Sequence, residues 1–137
     1  MLRASAGRDT GAMEIYLVDD SPLIRERLEA MLAAVPGAHV AGYAADAESA
    51  IRDILERKPD AVVLDLNLAA GTSGFDVLRA VHVHAPEIDF YMLSNFTAEP
   101  YRRLAARLGA REFFDKSSEF HRVRDIFAAR AAAAEQH

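Results

Sequence analysis

The sequence predicts an α/β fold, a doubly wound sheet of five parallel strands flanked by five helices, built as one domain. Two observations predict it. From Glu14 onward, short aliphatic runs alternate about five times with longer stretches of helical period, the pattern of parallel strands joined by helical crossovers. The 137 residues, 51% of them apolar and 27% charged, suit a single core, because folding at this size hides roughly 68% of the unfolded surface.

Residues 15–18 (IYLV) supply the first strand. Ser21 and Pro22 then offer a cap and a first-turn residue to a helix whose Ile24, Leu28, Met31, Leu32 and Val35 share one face until Pro36-Gly37 stops it. A weaker strand lies at 40–42. Asp46 opens the second helix, with Ala50, Ile54 and Leu55 inward, and Lys58-Pro59 ends it because the residue before a proline avoids helical geometry. Residues 61–64 (AVVL) are so uniformly apolar that both faces should be covered, which marks a central strand. Gly74 starts the third helix, with Val77, Leu78 and Val81 inward, and residues 90–93 form the fourth strand. Thr97 is expected to cap the fourth helix, which Gly109 closes after Leu104 and Leu108. A strand at 111–114 precedes a last helix expected to start near Ser117 or Ser118, with Phe120, Val123 and Phe127 on one side. Residues 1–12 read as a flexible leader, with Met13 an alternative start, 13–130 as the folded domain and 131–137 as an alanine-rich tail.

Sixteen Lys plus Arg against twenty-one Asp plus Glu leave a net charge of -5, which argues against nonspecific nucleic-acid binding. The absence of cysteine excludes disulfides, thiolate zinc sites and a nucleophilic thiol. No apolar stretch approaches the ~20 residues that span a bilayer, and residues 1–12 lack the apolar segment of a signal peptide, so a cytoplasmic location without membrane contact is expected.

In a doubly wound sheet, ligands bind at the carboxyl ends of the strands. Polar residues stand where the aliphatic runs stop: Asp19 and Asp20, then Asp65, Ser94 and Lys116. Acids gathered there would repel by about 4 kcal/mol per pair at ~4 Å and an effective dielectric near ~20, so a cation is required. A hard divalent ion suits an all-oxygen site, and magnesium fits best. Three carboxylates against a divalent ion and the Lys116 ammonium leave the site near neutral, ready for an anion. Asp65, ending the buried central strand, is the best-placed carboxylate to attack phosphorus. Phosphoryl transfer then needs mainly positioning and charge neutralisation.

The motifs VDDS (18–21), VVLDLN (62–67), MLSN (92–95) and FFDK (113–116) together resemble the receiver domains of two-component response regulators, over about residues 14–130. The resemblance implies a flavodoxin-like, CheY-like sheet of strand order 2-1-3-4-5. It implies Asp65 as phosphoacceptor, Asp20 and (through water) Asp19 as acids of a Mg2+ site, and Asn67 as donor of a backbone carbonyl to the metal. Ser94 would be the switch hydroxyl, Lys116 the phosphate-binding ammonium and Phe113 the switch aromatic. As a single-domain regulator, the chain would take its phosphoryl group from a histidine kinase or histidine phosphotransfer protein. It would then signal to an unidentified downstream protein, or pass the group on in a phosphorelay, with no enzyme activity beyond its own phosphorylation and dephosphorylation. Two rivals are a degenerate receiver that serves as a constitutive docking module and, last, a small phosphohydrolase.

Some residues depart from the family pattern. The loop LNLAAGTSG (66–74) has no proline and is one residue longer, and Ser117 replaces the usual proline after Lys116, so a trans Lys116–Ser117 bond is expected. Asn95 and Phe96, following Ser94, should restrict water and slow dephosphorylation. Asp20 could instead help cap the first helix, the lesser reading; taken singly, Asp65 reads better as an Asx-turn residue, Ser94 as a turn hydroxyl and Phe113 as core, and only their joint placement favours a site. His82 and His84 diverge on a helix and receive no metal, and Arg102, Arg103 and Arg107 read as a solvated basic face.

Overall fold

Five parallel strands form one sheet in the order β2-β1-β3-β4-β5, in a computed structural model that describes residues 12–135. The elements run β1 (Met13–Val18), α1 (Pro22–Ala33), β2 (Ala38–Ala44), α2 (Ala47–Arg57), β3 (Ala61–Leu64), a 3-10 turn (Ala69–Gly71), α3 (Gly74–His84), β4 (Asp89–Ser94), α4 (Glu99–Arg107), β5 (Glu112–Asp115) and α5 (Phe120–Glu135). This is the predicted doubly wound, CheY-like topology. Among the described residues no helix is long and apolar enough to cross a membrane.

Strand alternation divides the core in two. Tyr16, Val18, Val62, Leu64, Phe90 and Met92 point to the face covered by α2, α3 and α4, where they meet Ile54, Leu78 and Ala105. Ile15, Leu17, Ala61, Val63, Tyr91 and Leu93 point to the other face, against Leu28 and Leu32 of α1 and Val123 and Phe127 of α5. The uniformly apolar β3 is buried along its whole length, as its composition requires.

Most helix ends follow the expected chemistry. The Ser21 hydroxyl accepts from the Ile24 N–H at 3.3 Å with Pro22 in the first turn, and the Asp46 carboxylate accepts from the Ser49 N–H at 3.0 Å. Lys58 adopts a left-handed conformation at φ 52° before Pro59. Gly109 closes α4 at φ +111°, where a side chain would also collide with the His82 ring.

Several boundaries differ from expectation. The edge strand β2 extends from Ala38 to Ala44, longer than 40–42, because it carries a bulge: Ile15 pairs with Val40 but Tyr16 with Gly42, leaving Ala41 unpaired with β1. Helix α4 begins at Glu99 with Ala98, not Thr97, at its cap and with no side-chain cap bond. Helix α5 begins at Phe120 rather than Ser117 or Ser118, because residues 115–119 close a turn of their own. The helix runs on to Glu135, with Ala131 buried. The expected leader lies, apart from Ala12, outside the described residues.

One polar link pins the edge of the sheet. The fully buried Tyr16 donates its hydroxyl to Asp53 on α2 at 2.6 Å, and Arg57 joins Asp53 to the bulge carbonyl of Ala41. Burial, then Asp53, pushes the Tyr16 hydroxyl above its ordinary value. Burial raises the Asp53 carboxyl as well, but Tyr16 and Arg57 outweigh it and hold it below the usual range. A carboxyl lowered in the folded state stabilises above its unfolded value of about 3.9, and that stabilisation is lost as pH falls through the lower native value. Tyr16→Phe should therefore cost about 1 kcal/mol at neutral pH. In urea unfolding the gap to wild type should close below about pH 4.

Candidate functional site

The carboxyl ends of β1, β3 and β5 converge, and their polar side chains meet there. Lys116, just past β5, donates its ammonium to Asp19 Oδ2 and to Asp65 Oδ2, each at 2.8 Å. Each aspartate is held on its other oxygen by a backbone N–H: Asp19 Oδ1 accepts from Ser21 at 2.9 Å and Asp65 Oδ1 from Leu66 at 2.7 Å. Asp19 and Asp65 are buried, whereas Asp20 is exposed at the rim. One oxygen from each of Asp19, Asp20 and Asp65 lies within 4.8 Å of the others, a set of hard anionic donors suited to a hard dication. Burial pushes the Asp19 carboxyl above its ordinary range, despite the opposing bonds from Lys116 and the Ser21 N–H. Burial works against the Lys116 ammonium too, but the bonds to Asp19 and Asp65 more than compensate and raise it.

Ser94, at the end of β4, is fully buried, and its hydroxyl accepts from the Phe96 N–H at 3.1 Å, so it is engaged with its own loop. Its carbonyl accepts from the Lys116 N–H at 2.9 Å, which joins the ends of β4 and β5. Phe113 is half-buried on β5. The Arg102 guanidinium lies over its ring, 4.8 Å from the centroid. Arg102 is thus half-buried and engaged, which corrects the reading of all three α4 arginines as a solvated face; Arg103 and Arg107 are exposed as expected.

The longer, proline-free loop after Asp65 is closed on itself. Asn67 and Ser73 form an antiparallel bridge, and the Leu68 N–H donates to the Thr72 carbonyl. Ala70 and Gly71 turn the chain at φ 62° and φ 69°. The Thr72 hydroxyl accepts from the Ala47 N–H and donates to the Ala69 carbonyl, while the Ala69 N–H donates to Ala45. This docks the loop on the start of α2. At 116–117 the bond is trans, as expected. Here hydrogen bonds stand in for a proline ring: the Ser117 N–H donates to Asp115 Oδ1 at 2.8 Å, the Asp115 N–H to Glu119 at 2.8 Å, and the Ser117 hydroxyl to Asn95 at 3.1 Å.

The response regulator receiver domain family model matches residues 15–128. The chain belongs to this family. Receiver domains bind Mg2+ at such an acidic site and interact with histidine kinases, phosphotransfer proteins and downstream partners. A protein-glutamate methylesterase/protein-glutamine glutaminase of Geobacter sulfurreducens is 36% identical over 107 residues, covering 78% of this chain and 28% of that protein. The response regulator domain of Thermotoga maritima CheB superposes with a TM-score of 0.77 at 26% identity, covering 92% of this chain and 98% of that one. A LuxR-family two-component response regulator from Aurantimonas gives 0.80 at 30% identity, covering 89% and 86%. The chain spans 28% to 49% of the length of the first curated relatives it matches.

All five residues expected at the strand ends lie at this rim of the receiver, three of them in direct contact. Sequence reasoning missed Gly74. A Cβ there would overlap the carbonyl oxygen of Asp65, while the Gly74 N–H donates to Leu66 at 2.7 Å. Nothing in the sequence distinguishes a glycine needed for close approach from one that merely starts a helix. Gly74→Ala must displace backbone, because its obstacle is a peptide group. It is expected to lower stability by about 1–3 kcal/mol, read as a reduced urea midpoint; an unchanged midpoint would show that the start of α3 yields freely.

Proposed function

We propose that this receiver accepts a phosphoryl group on Asp65 from the phosphohistidine of a histidine kinase or phosphotransfer protein. It acts in the cytoplasm through the receiver over residues 13–130 and signals by phosphorylation-dependent protein binding. One observation carries the proposal: a single ammonium is shared, at 2.8 Å, between the buried Asp65 and Asp19, with a third carboxylate beside them.

The donor set fits Mg2+, which Asp19, Asp20, Asp65 and the Asn67 backbone carbonyl would hold; bound there, it supplies positive charge against the phosphoryl oxygens. In the transfer, a carboxylate oxygen of Asp65 forms the new O–P bond as the P–N bond to the donor imidazole breaks, and the imidazole keeps the bonding electron pair. The backbone N–H of Leu66 holds one Asp65 oxygen in place, which leaves the Lys116-facing oxygen as the nucleophile. Lys116 then neutralises the added charge. Ser94, whose hydroxyl accepts from the Phe96 N–H and keeps its own O–H as a donor, turns that O–H toward the phosphoryl group, and Phe113 turns into the space it leaves.

Two measurements test this. After incubation with magnesium and acetyl phosphate, intact-mass spectrometry should show one phosphate adduct that is absent in Asp65→Ala. No adduct on the wild type points instead to a constitutive docking module, and continuous bulk release of phosphate to a phosphohydrolase. Separately, Asp20→Asn should weaken Mg2+ binding about tenfold in calorimetry, close to 1.4 kcal/mol. Thermal stability without metal should not fall, and should rise where the repulsion dominates, since Asp20→Asn removes one of three carboxylates lying within 4.8 Å of one another.

A further inference from the structure

We infer that Arg102 is a positioning residue that holds the switch in its unphosphorylated arrangement, a role that rests on the assignment of Asp65, Ser94 and Phe113 above. Its guanidinium joins three parts of the molecule from α4. Nε donates to the carbonyl of Thr97 at 2.9 Å, Nη1 donates to the carbonyl of Phe113 at 3.2 Å, and Cζ lies 4.8 Å from the Phe113 ring centroid. Thr97 belongs to the segment that follows Ser94, and Phe113 is the aromatic that would answer the movement of Ser94. One side chain therefore touches both moving parts of the switch.

These contacts belong to one of its two arrangements. The bend that presents the Thr97 carbonyl to Arg102 is the same bend in which the Ser94 hydroxyl accepts from Phe96, one residue before Thr97. When the Ser94 hydroxyl moves to donate to a phosphoryl oxygen, the 94–97 segment tied to it through the Phe96 N–H shifts against α4 and the Nε bond is lost. When Phe113 turns inward, its ring leaves the guanidinium face. Only the bond to the Phe113 backbone survives both changes. Phe113 has no hydroxyl with which to anchor its own ring, so the guanidinium over the ring adds to its packing against the core in retaining it. A planar cation with fixed donors suits this task, whereas an ammonium can stack or donate but not do both in one geometry.

A group that stabilises one state of an equilibrium opposes every ligand that selects the other, by the same factor. Removing Arg102 should therefore tighten binding of a phosphoryl mimic. The measurement is calorimetric titration of the full chain with beryllium fluoride in saturating magnesium, for wild type, Arg102→Met and Arg102→Lys. Arg102→Met is expected to bind about three- to tenfold more tightly than wild type, Arg102→Lys to fall between them, and Mg2+ affinity without beryllium fluoride to stay the same. A purely structural role for Arg102 would weaken binding or leave it unchanged, and that result overturns the inference. Should Arg102→Met fail to fold, Arg102→Lys decides alone: tighter than wild type supports the role, equal or weaker overturns it. Loss of binding in the wild type itself would instead remove the assignment of Asp65, and the role of Arg102 with it.

Discussion

The bridge from Lys116 to Asp19 and Asp65 is the constraint around which the rest of the site is arranged. Two buried carboxylates this close are tolerable only beside a positive charge. The lysine that supplies it comes from the far edge of the sheet, since β4 and β3 lie between β5 and β1. Its ammonium must therefore cross the carboxyl ends of two strands. Parallel strands joined by right-handed crossovers place all these ends on one rim, so the ion cluster depends on the topology and the rim in turn is held closed by the cluster. The cluster is also unsymmetrical in exposure, with Asp19 and Asp65 covered and Asp20 open to solvent. That asymmetry makes Asp20 the member of the cluster that meets solvent.

The strand ends are joined by bonds that differ in how readily they can be exchanged. The backbone link from Lys116 to Ser94 ties β5 to β4, and the Leu66 N–H fixes one oxygen of Asp65. Against these, the Ser94 hydroxyl accepts from a single local N–H, and the Phe113 ring rests between the core and one guanidinium. In the proposed transfer, a group carrying up to about one further negative charge and three acceptor oxygens would draw on the second kind of contact, not the first.

Elements with a strong period or a strong cap were legible in the sequence. The run AVVL, the Ser21-Pro22 and Asp46 caps and the stop at Gly109 each carry a local signal that packing does not override. The boundaries that escaped were set by distant partners. The edge strand β2 is half-exposed and bulged, so its alternation is weak, and its length is decided by pairing with β1. Thr97 looked like a cap, yet what the structure uses is its carbonyl, as the acceptor for Arg102. The candidate site residues were readable because strand ends are few and charged side chains there are conspicuous. Gly74 and Arg102 were not, since a close approach and a stacked cation are properties of the assembled fold. The ordinary alternatives also describe part of the truth: Ser94 does form a turn bond and Asp65 does accept from the next N–H.

The replacement of a proline by Ser117 shows how one position can be solved by two kinds of physics. A proline would restrict the turn after Lys116 through its ring. Here the restriction comes from Asp115, Glu119 and Asn95, each making one hydrogen bond into the turn. The Ser117 N–H, foremost, holds the Asp115 carboxyl below its ordinary range, and the Asp115 N–H does the same for Glu119, so both stay ionised at neutral pH. A ring constrains φ whatever happens nearby, whereas a hydrogen-bonded turn is only as rigid as its partners. One of those partners, Asn95, is the residue next to Ser94. The Ser117 hydroxyl therefore ties the turn after Lys116 to the loop that follows Ser94.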